Sequence, residues 1–254
     1  MLLLEKRVGE TPLELLERIR KERPELAEAK LSYAGRLDPM AEGAMLILVG
    51  DEENQPENRA KFLGLDKEYI ATFLIGVKTD SGDALGMPEW SLSKTESSIP
   101  SEDEIRKQVT ELLSVKKQKY PWFSGKAVGG IKLFDHFKKG NTDIERPSRD
   151  VCISVAEFID IESQPTEDVK KYIFDSIRKV SGDFRQEKIL SKWEEFFENT
   201  ERIGDHAGNK EFLQFRVRFL VSSGTFIRAL TENFNFPVTL LALKRTKIVT
   251  EASK

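Results

Sequence analysis

Gln214-Phe215-Arg216-Val217-Arg218-Phe219-Leu220-Val221 sets large apolar side chains at 215, 217, 219 and 221 against polar ones at 214, 216 and 218. Successive side chains of a strand point to opposite faces, so a period of two marks a strand with one face in a core and one in solvent. A turn at Ser222-Ser223-Gly224 ends it and opens a short helix from Thr225. Val238–Leu243 and Lys247–Val249 then read as two closing strands. Toward the N-terminus, Val169, Ile173, Ile177 and Val180 recur at helical spacing, and Val151, Ile153 and Val155 alternate as a strand. Ser101-Glu102-Asp103-Glu104 and Thr11-Pro12-Leu13-Glu14 are capping boxes. The first opens a helix faced by Ile105, Val109, Leu112 and Leu113; the second opens one faced by Leu13, Leu16 and Ile19. Tyr69–Val77 and Met45–Val49 are apolar on both faces and suit buried strands, with loops predicted over 31–43 and 51–61. Helices and strands mix without regular βαβ alternation, which predicts an α+β fold: a mixed, largely antiparallel central sheet flanked by helices.

The 254 residues are enough for a sizeable core, and 39% hydrophobic with 33% charged residues excludes a disordered chain. The N-terminal apolar run is only four residues, too short for a signal peptide, and no run suits a membrane span. A single cysteine, Cys152, excludes an intrachain disulfide and is expected to be a small buried strand residue. His136 and His206 alone offer little for a metal site or a Ser-His-Asp triad. The expectation is a soluble, cytoplasmic protein. Trp193-Glu-Glu-Phe-Phe-Glu198 reads as one amphipathic helix face.

Formal charge totals −3 but is segregated. Residues 116–149 hold nine bases against three acids, and 212–254 hold seven against two. Such separation points to an anionic ligand on one face. The 116–149 stretch also carries Tyr120, Trp122, Phe123, Phe134 and Phe137, a pairing of rings and cations that suits unpaired nucleic acid; at least two of these rings are expected in the core. A short helix is predicted near 131–139, capped by Gly140.

Gly35-Arg36-Leu37-Asp38-Pro39-Met40-Ala41-Glu42-Gly43 places an aspartate in a loop bracketed by glycines, with proline stiffening the backbone. Asp66-Lys67-Glu68-Tyr69 opens a strand, followed by Gly76 and Thr79-Asp80. Gly224-Thr225-Phe226-Ile227-Arg228 combines a glycine turn with a cation.

Together, in this order, these segments and Leu243-Lys244-Arg245 resemble the TruB family of pseudouridine synthases. They match its G-x-L-D-P-x-A-x-G, D-K-x-Y, T-D, G-T-Y-I-R and L-R-R motifs. The resemblance implies conversion of a T-loop uridine of transfer RNA (conventional position 55) to pseudouridine, by a monomer that uses no metal and no organic cofactor. It makes Asp38 the catalytic carboxylate, Tyr69 the ring stacked on a flipped base, and Arg228 a bidentate partner that orients Asp38. RNA contacts are expected from Tyr33, Lys67, Lys126, Lys132, Lys138, Lys139, Lys244 and Arg245. Residues 1–254 are expected to form one catalytic domain, with 116–149 as a mobile RNA clamp and no C-terminal PUA module. Tyr33 stands where the family has histidine, Arg7 where it has proline and Ala127 where its clamp has lysine. The alternative is a catalytically inactive RNA-binding or tRNA-folding protein on the same scaffold. A carboxylate-based hydrolase is disfavoured, because it needs a second positioned acid.

Overall fold

A computed structural model describes residues 1–89, 99–204 and 211–249. In chain order the elements begin β1 (Leu2–Lys6), α1 (Pro12–Glu22), β2 (Leu31–Ala34), β3 (Ala41–Val49), α2 (Gly50–Glu53), α3 (Pro56–Gly64) and β4 (Asp66–Ile75). Short strands β5 (Lys78–Thr79) and β6 (Pro88–Glu89) precede α4 (Glu102–Glu111). The basic stretch contains β7 (Lys117–Lys119), β8 (Ala127–Val128), β9 (Ile131–Lys132), α5 (Leu133–Lys138) and β10 (Ser148–Asp150). Then come β11 (Ile153–Pro165), α6 (Thr166–Arg178), α7 (Gln186–Gly204), β12 (Glu211–Val221) and β13 (Val238–Val249).

Seven strands form the main sheet in the order β1-β3-β13-β4-β12-β11, with β2 also on β3. The pairings are antiparallel except β3 with β13, so the sheet is mixed and largely antiparallel as expected. Its pleat sorts neighbours to opposite faces. Phe73 joins a core with Phe215, Phe219 and Phe234 beneath α1 and α4, whereas Leu74 joins Trp193, Phe197, Ile173 and Ile177 beneath α6 and α7. Met45 and Ile47 likewise face the first core, while Leu46 and Leu48 face a small third cluster with Phe62 of α3. Phe73 and Phe215 stack with centroids 5.2 Å apart, and truncating either to alanine should cost about 3–5 kcal/mol.

Both capping boxes form, Thr11 with Glu14 and Ser101 with Glu104. On α1, however, Leu13 is exposed and Leu15 joins Leu16 and Ile19 inside. The 31–43 stretch contains β2 and the start of β3, and 51–61 contains helices rather than a loop. Those helices bury no residue fully, so they carry no apolar period to read. The closing strands are one strand, β13, whose register shifts at 240/242 and 245/247 interrupt its alternation. Cys152 is exposed, not buried: it precedes β11, and its backbone N–H is held by the Ser222 hydroxyl. None of the five rings in 116–149 is fully buried. Instead Phe137 packs on Phe123 and Trp122 in a separate cluster. The Trp193–Glu198 stretch is an amphipathic face of α7, with Trp193, Phe196 and Phe197 inside. His206 lies outside the described residues.

Candidate active site

Asp38 sits in the loop between paired strands β2 and β3. Just past the loop, inside β3, position 43 requires glycine. Gly43 adopts φ +108° opposite Arg245 in the parallel β3/β13 contact, and a Cβ there would strike the Arg245 backbone. Lys6 tightens the loop from below. Its fully buried ammonium donates to the carbonyls of Arg7 (2.9 Å) and Ala41 (2.6 Å), and burial pushes its pKa down to about 8.

Arg228 lies in a 3-10 turn over Ile227–Asn233 and is only 4% exposed. Its Nε donates to Asp38 Oδ2 at 2.8 Å, Nη1 to the Ser81 carbonyl at 2.9 Å and Nη2 to the Phe123 carbonyl at 2.7 Å. The guanidinium fork therefore does not grip Asp38 bidentately, contrary to what the resemblance implied. It ties the carboxylate to the 81–83 turn and to the basic stretch. The Asp38 side chain remains 42% exposed, and among the described residues its Oδ1 accepts no hydrogen bond. One oxygen is anchored and the other is left without a hydrogen-bond partner among the described residues.

Asp83 completes this cluster, a residue not singled out as functional from sequence. Its carboxylate is buried 3.8 Å from Arg228 Nε and accepts from the Ser81 hydroxyl (2.6 Å) and the Leu85 N–H (3.1 Å). Burial pushes its pKa up to about 6, partly countered by Arg228 and reinforced by Asp38. Burial by itself would lower the Arg228 pKa; the two aspartates outweigh it and hold it above the usual value. The signal available in sequence was the tight Ser81-Gly82-Asp83 turn. Gly82 has φ +79°, and a Cβ there would lie 2.5 Å from the Arg228 carbonyl.

Tyr69, from β4, packs into the first core and accepts from Arg245 Nε at 3.1 Å. It shares a cavity of about 510 Å³ with Asp38 and Arg228, so the three residues meet in one cleft although they are distant in sequence. Lys126, Phe123 and Arg149 line the same cavity. A second cavity, of about 360 Å³, adjoins it: Asp38, Phe123 and Arg228 border both, and Phe134, Lys138 and Phe184 line the second. A larger groove of about 580 Å³, between α6 and the sheet, contains none of the three.

The expected RNA-contacting residues divide. Lys126, Lys132, Lys138 and Lys139 are exposed on the basic stretch. Lys67 and Arg245 are buried. The Lys67 ammonium is held by the Leu63 and Leu65 carbonyls and the Ser223 hydroxyl, and burial lowers its pKa to about 8. Arg245 donates to Tyr69 Oη and to the carbonyls of Ala44 and Arg36. Both side chains border the 510 Å³ cavity while bracing its wall. Lys244 points to the other groove, near Glu5 and Glu42. Tyr33 is half-buried opposite Ile47 against the first core, and does not line the Asp38 cavities. Among the described residues no group of three or more His, Cys, Asp or Glu is placed to hold a metal, and no helix is long and apolar enough to cross a membrane.

The family described as "TruB family pseudouridylate synthase (N terminal domain)" matches residues 23–175. The chain belongs to the TruB family. Its relatives include tRNA pseudouridine synthase B of Protochlamydia amoebophila, 36% identical over 140 residues, which are 55% of this chain and 50% of that protein. The protein of the same name from Chloroherpeton thalassium is 31% identical over 162 residues, 63% of this chain and 65% of that one. This TruB chain thus aligns with about half to two-thirds of the length of these relatives. A crystal structure of a Cbf5-Nop10-Gar1 complex superposes with TM-score 0.49 and 18% identity, covering 97% of this chain and 48% of that one.

Proposed function

We propose that this TruB chain isomerises the T-loop uridine at position 55 of transfer RNA to pseudouridine, with Asp38 as the catalytic carboxylate. The observation that carries the reading is the half-exposed Asp38, anchored through one oxygen to buried Arg228 beside Tyr69. The reaction breaks the N1–C1′ bond, turns the base and joins C5 to C1′; N1 gains a proton and C5 loses one. The unanchored Asp38 oxygen serves the ribose by attacking C1′, by stabilising charge there or by removing the C2′ proton. Held by Arg228, the carboxylate needs no reorganisation as charge develops. The uridine leaves the loop stack to reach the cavity, where the Tyr69 ring lies against its base.

The 116–149 segment acts as the RNA clamp of this reading. Its ends are strapped to the Arg228 turn: Gln118 exchanges two hydrogen bonds with Phe226, and Arg146 pairs with Glu232 through both terminal nitrogens. Between the straps, Lys126, Lys132, Lys138 and Lys139 offer cations to phosphates. Buried side-chain atoms without a hydrogen-bond partner among the described residues are Ser124 Oγ, His136 Nδ1 and Arg149 Nε, all in this segment. Ser124 and Arg149 border the Asp38 cavity, where RNA can satisfy them.

The test is tritium release from transfer RNA carrying 5-³H-uridine. Release at one equivalent per molecule, with pseudouridine at position 55, is expected. RNA binding with no release would favour the inactive RNA-binding reading.

A further inference from the structure

Antiparallel neighbours β11 and β12 face each other as far as Pro165 and Glu211, a pair that a tight turn could join. Instead the chain leaves the sheet for α6 and α7, and the bend between these helices returns to the site. Residues 183–185 lie outside the 23–175 stretch that matches the family. Asp183, Phe184 and Arg185 nevertheless line the 360 Å³ cavity that Asp38 and Arg228 border.

The bend is held firmly. Gln186 accepts from the Phe184 N–H at 2.9 Å and donates to the carbonyls of Val180 and Gly182. Arg185 takes φ +65°, a left-handed backbone unusual for a residue other than glycine. Its guanidinium pairs with the buried carboxylate of Asp80 at 2.9 Å and lies 4.2 Å from the centre of the Phe123 ring. Trp193 of α7 donates to the Ala84 carbonyl at 3.1 Å, fastening the excursion to the same turn that carries Asp83. These contacts present Phe184, a large ring left 36% exposed, to the cavity.

We propose that this cavity is a second nucleobase subsite, holding an unpaired base adjacent to the reacting uridine against Phe184. The proposal rests on the uridine-isomerase reading for the identity of the neighbouring nucleotide. Three observations favour a base over another occupant. The cavity adjoins the Asp38 cleft, with Asp38, Phe123 and Arg228 bordering both, so a strand with one nucleotide at Tyr69 has the next one within reach of this cavity. Its walls include rings from two separate segments, Phe123 and Phe134 of the basic stretch and Phe184 of the bend, and stacking on rings accepts any base. Lys138 stands at its border, with Lys139 exposed beside it, to meet the linking phosphate.

The experiment places 2-aminopurine on either side of the target uridine in a T stem-loop RNA. It reads fluorescence and affinity with the whole protein, and tritium release on the unmodified RNA. The expected result is quenching at one flanking position, lost in Phe184→Ala with an affinity about tenfold weaker and retained in Phe184→Trp. An unchanged melting temperature in Phe184→Ala, whose ring is partly exposed, separates this loss from unfolding. Quenching at neither position in the wild type, or equal quenching and affinity in Phe184→Ala, overturns the subsite. If flanking quenching depends on Phe184 but no tritium is released, the subsite stands and the isomerase reading fails. Without RNA binding, both fall.

Discussion

Arg228 divides its three nitrogens among the Asp38 carboxylate, the Ser81 carbonyl and the Phe123 carbonyl. A lysine carries the same charge on one compact ammonium and cannot span the three acceptors. Arg228→Lys is therefore expected to lower single-turnover isomerisation by about 100-fold while RNA affinity changes little. A rate within twofold of wild type would show that the three-way tie is dispensable. Asp83 yields a pH prediction. Its folded pKa of about 6 lies above the ordinary carboxylate value, so the folded state holds the proton more tightly. The stabilisation from protonated Asp83 is complete below about pH 4 and is lost as pH rises through about 6. The stability difference between Asp83→Asn and wild type should thus shift in favour of the variant across that window, by roughly 3 kcal/mol, and then level off. Denaturant titrations at half-unit pH intervals check this; a flat difference would contradict it.

At the scale of elements, the 116–149 segment combines fixed ends with cationic middle elements. Neutralising Lys132, Lys138 and Lys139 together should weaken all transfer RNAs alike. It should flatten the salt dependence of log K by roughly 0.7–0.9 per lost phosphate contact. The rate at saturating RNA should change much less. Filter binding across a salt series is the check, and an unchanged slope would mark the segment as ordinary solvated surface. The elements also show what a sequence reveals. β12 was readable because Arg216 and Arg218 face solvent, pairing with Asp160 and Glu157, while Phe215 and Phe219 do not. The capping boxes were readable because each is a local contact. The α2 and α3 helices were not, because they bury no apolar stripe. Lys67 and Arg245 were expected to contact RNA through the motif resemblance, and their burial was not legible in it. Here backbone carbonyls and hydroxyl groups satisfy them inside, an arrangement that only tertiary structure creates.

At the scale of the whole molecule, the sheet brings residues 38, 69 and 228 together from three separate segments. The loop before β3, the strand β4 and the turn after β12 converge because β13 inserts between β3 and β4. The meeting of Asp38, Tyr69 and Arg228 in one cleft was legible through motif resemblance. The positions of Asp83, Arg185 and Phe184 beside that cleft were not, since they arise from contacts with segments far away in sequence. The central claim is that the Asp38 carboxylate does the chemistry while the rest of the molecule positions it and the RNA. The most direct measurement compares tritium release from 5-³H-uridine transfer RNA by wild type and Asp38→Asn, with RNA affinity and melting temperature determined on the same preparations. The account predicts stoichiometric release by wild type and none above background by Asp38→Asn, at nearly equal affinity and with the fold intact. Normal turnover by Asp38→Asn would contradict it.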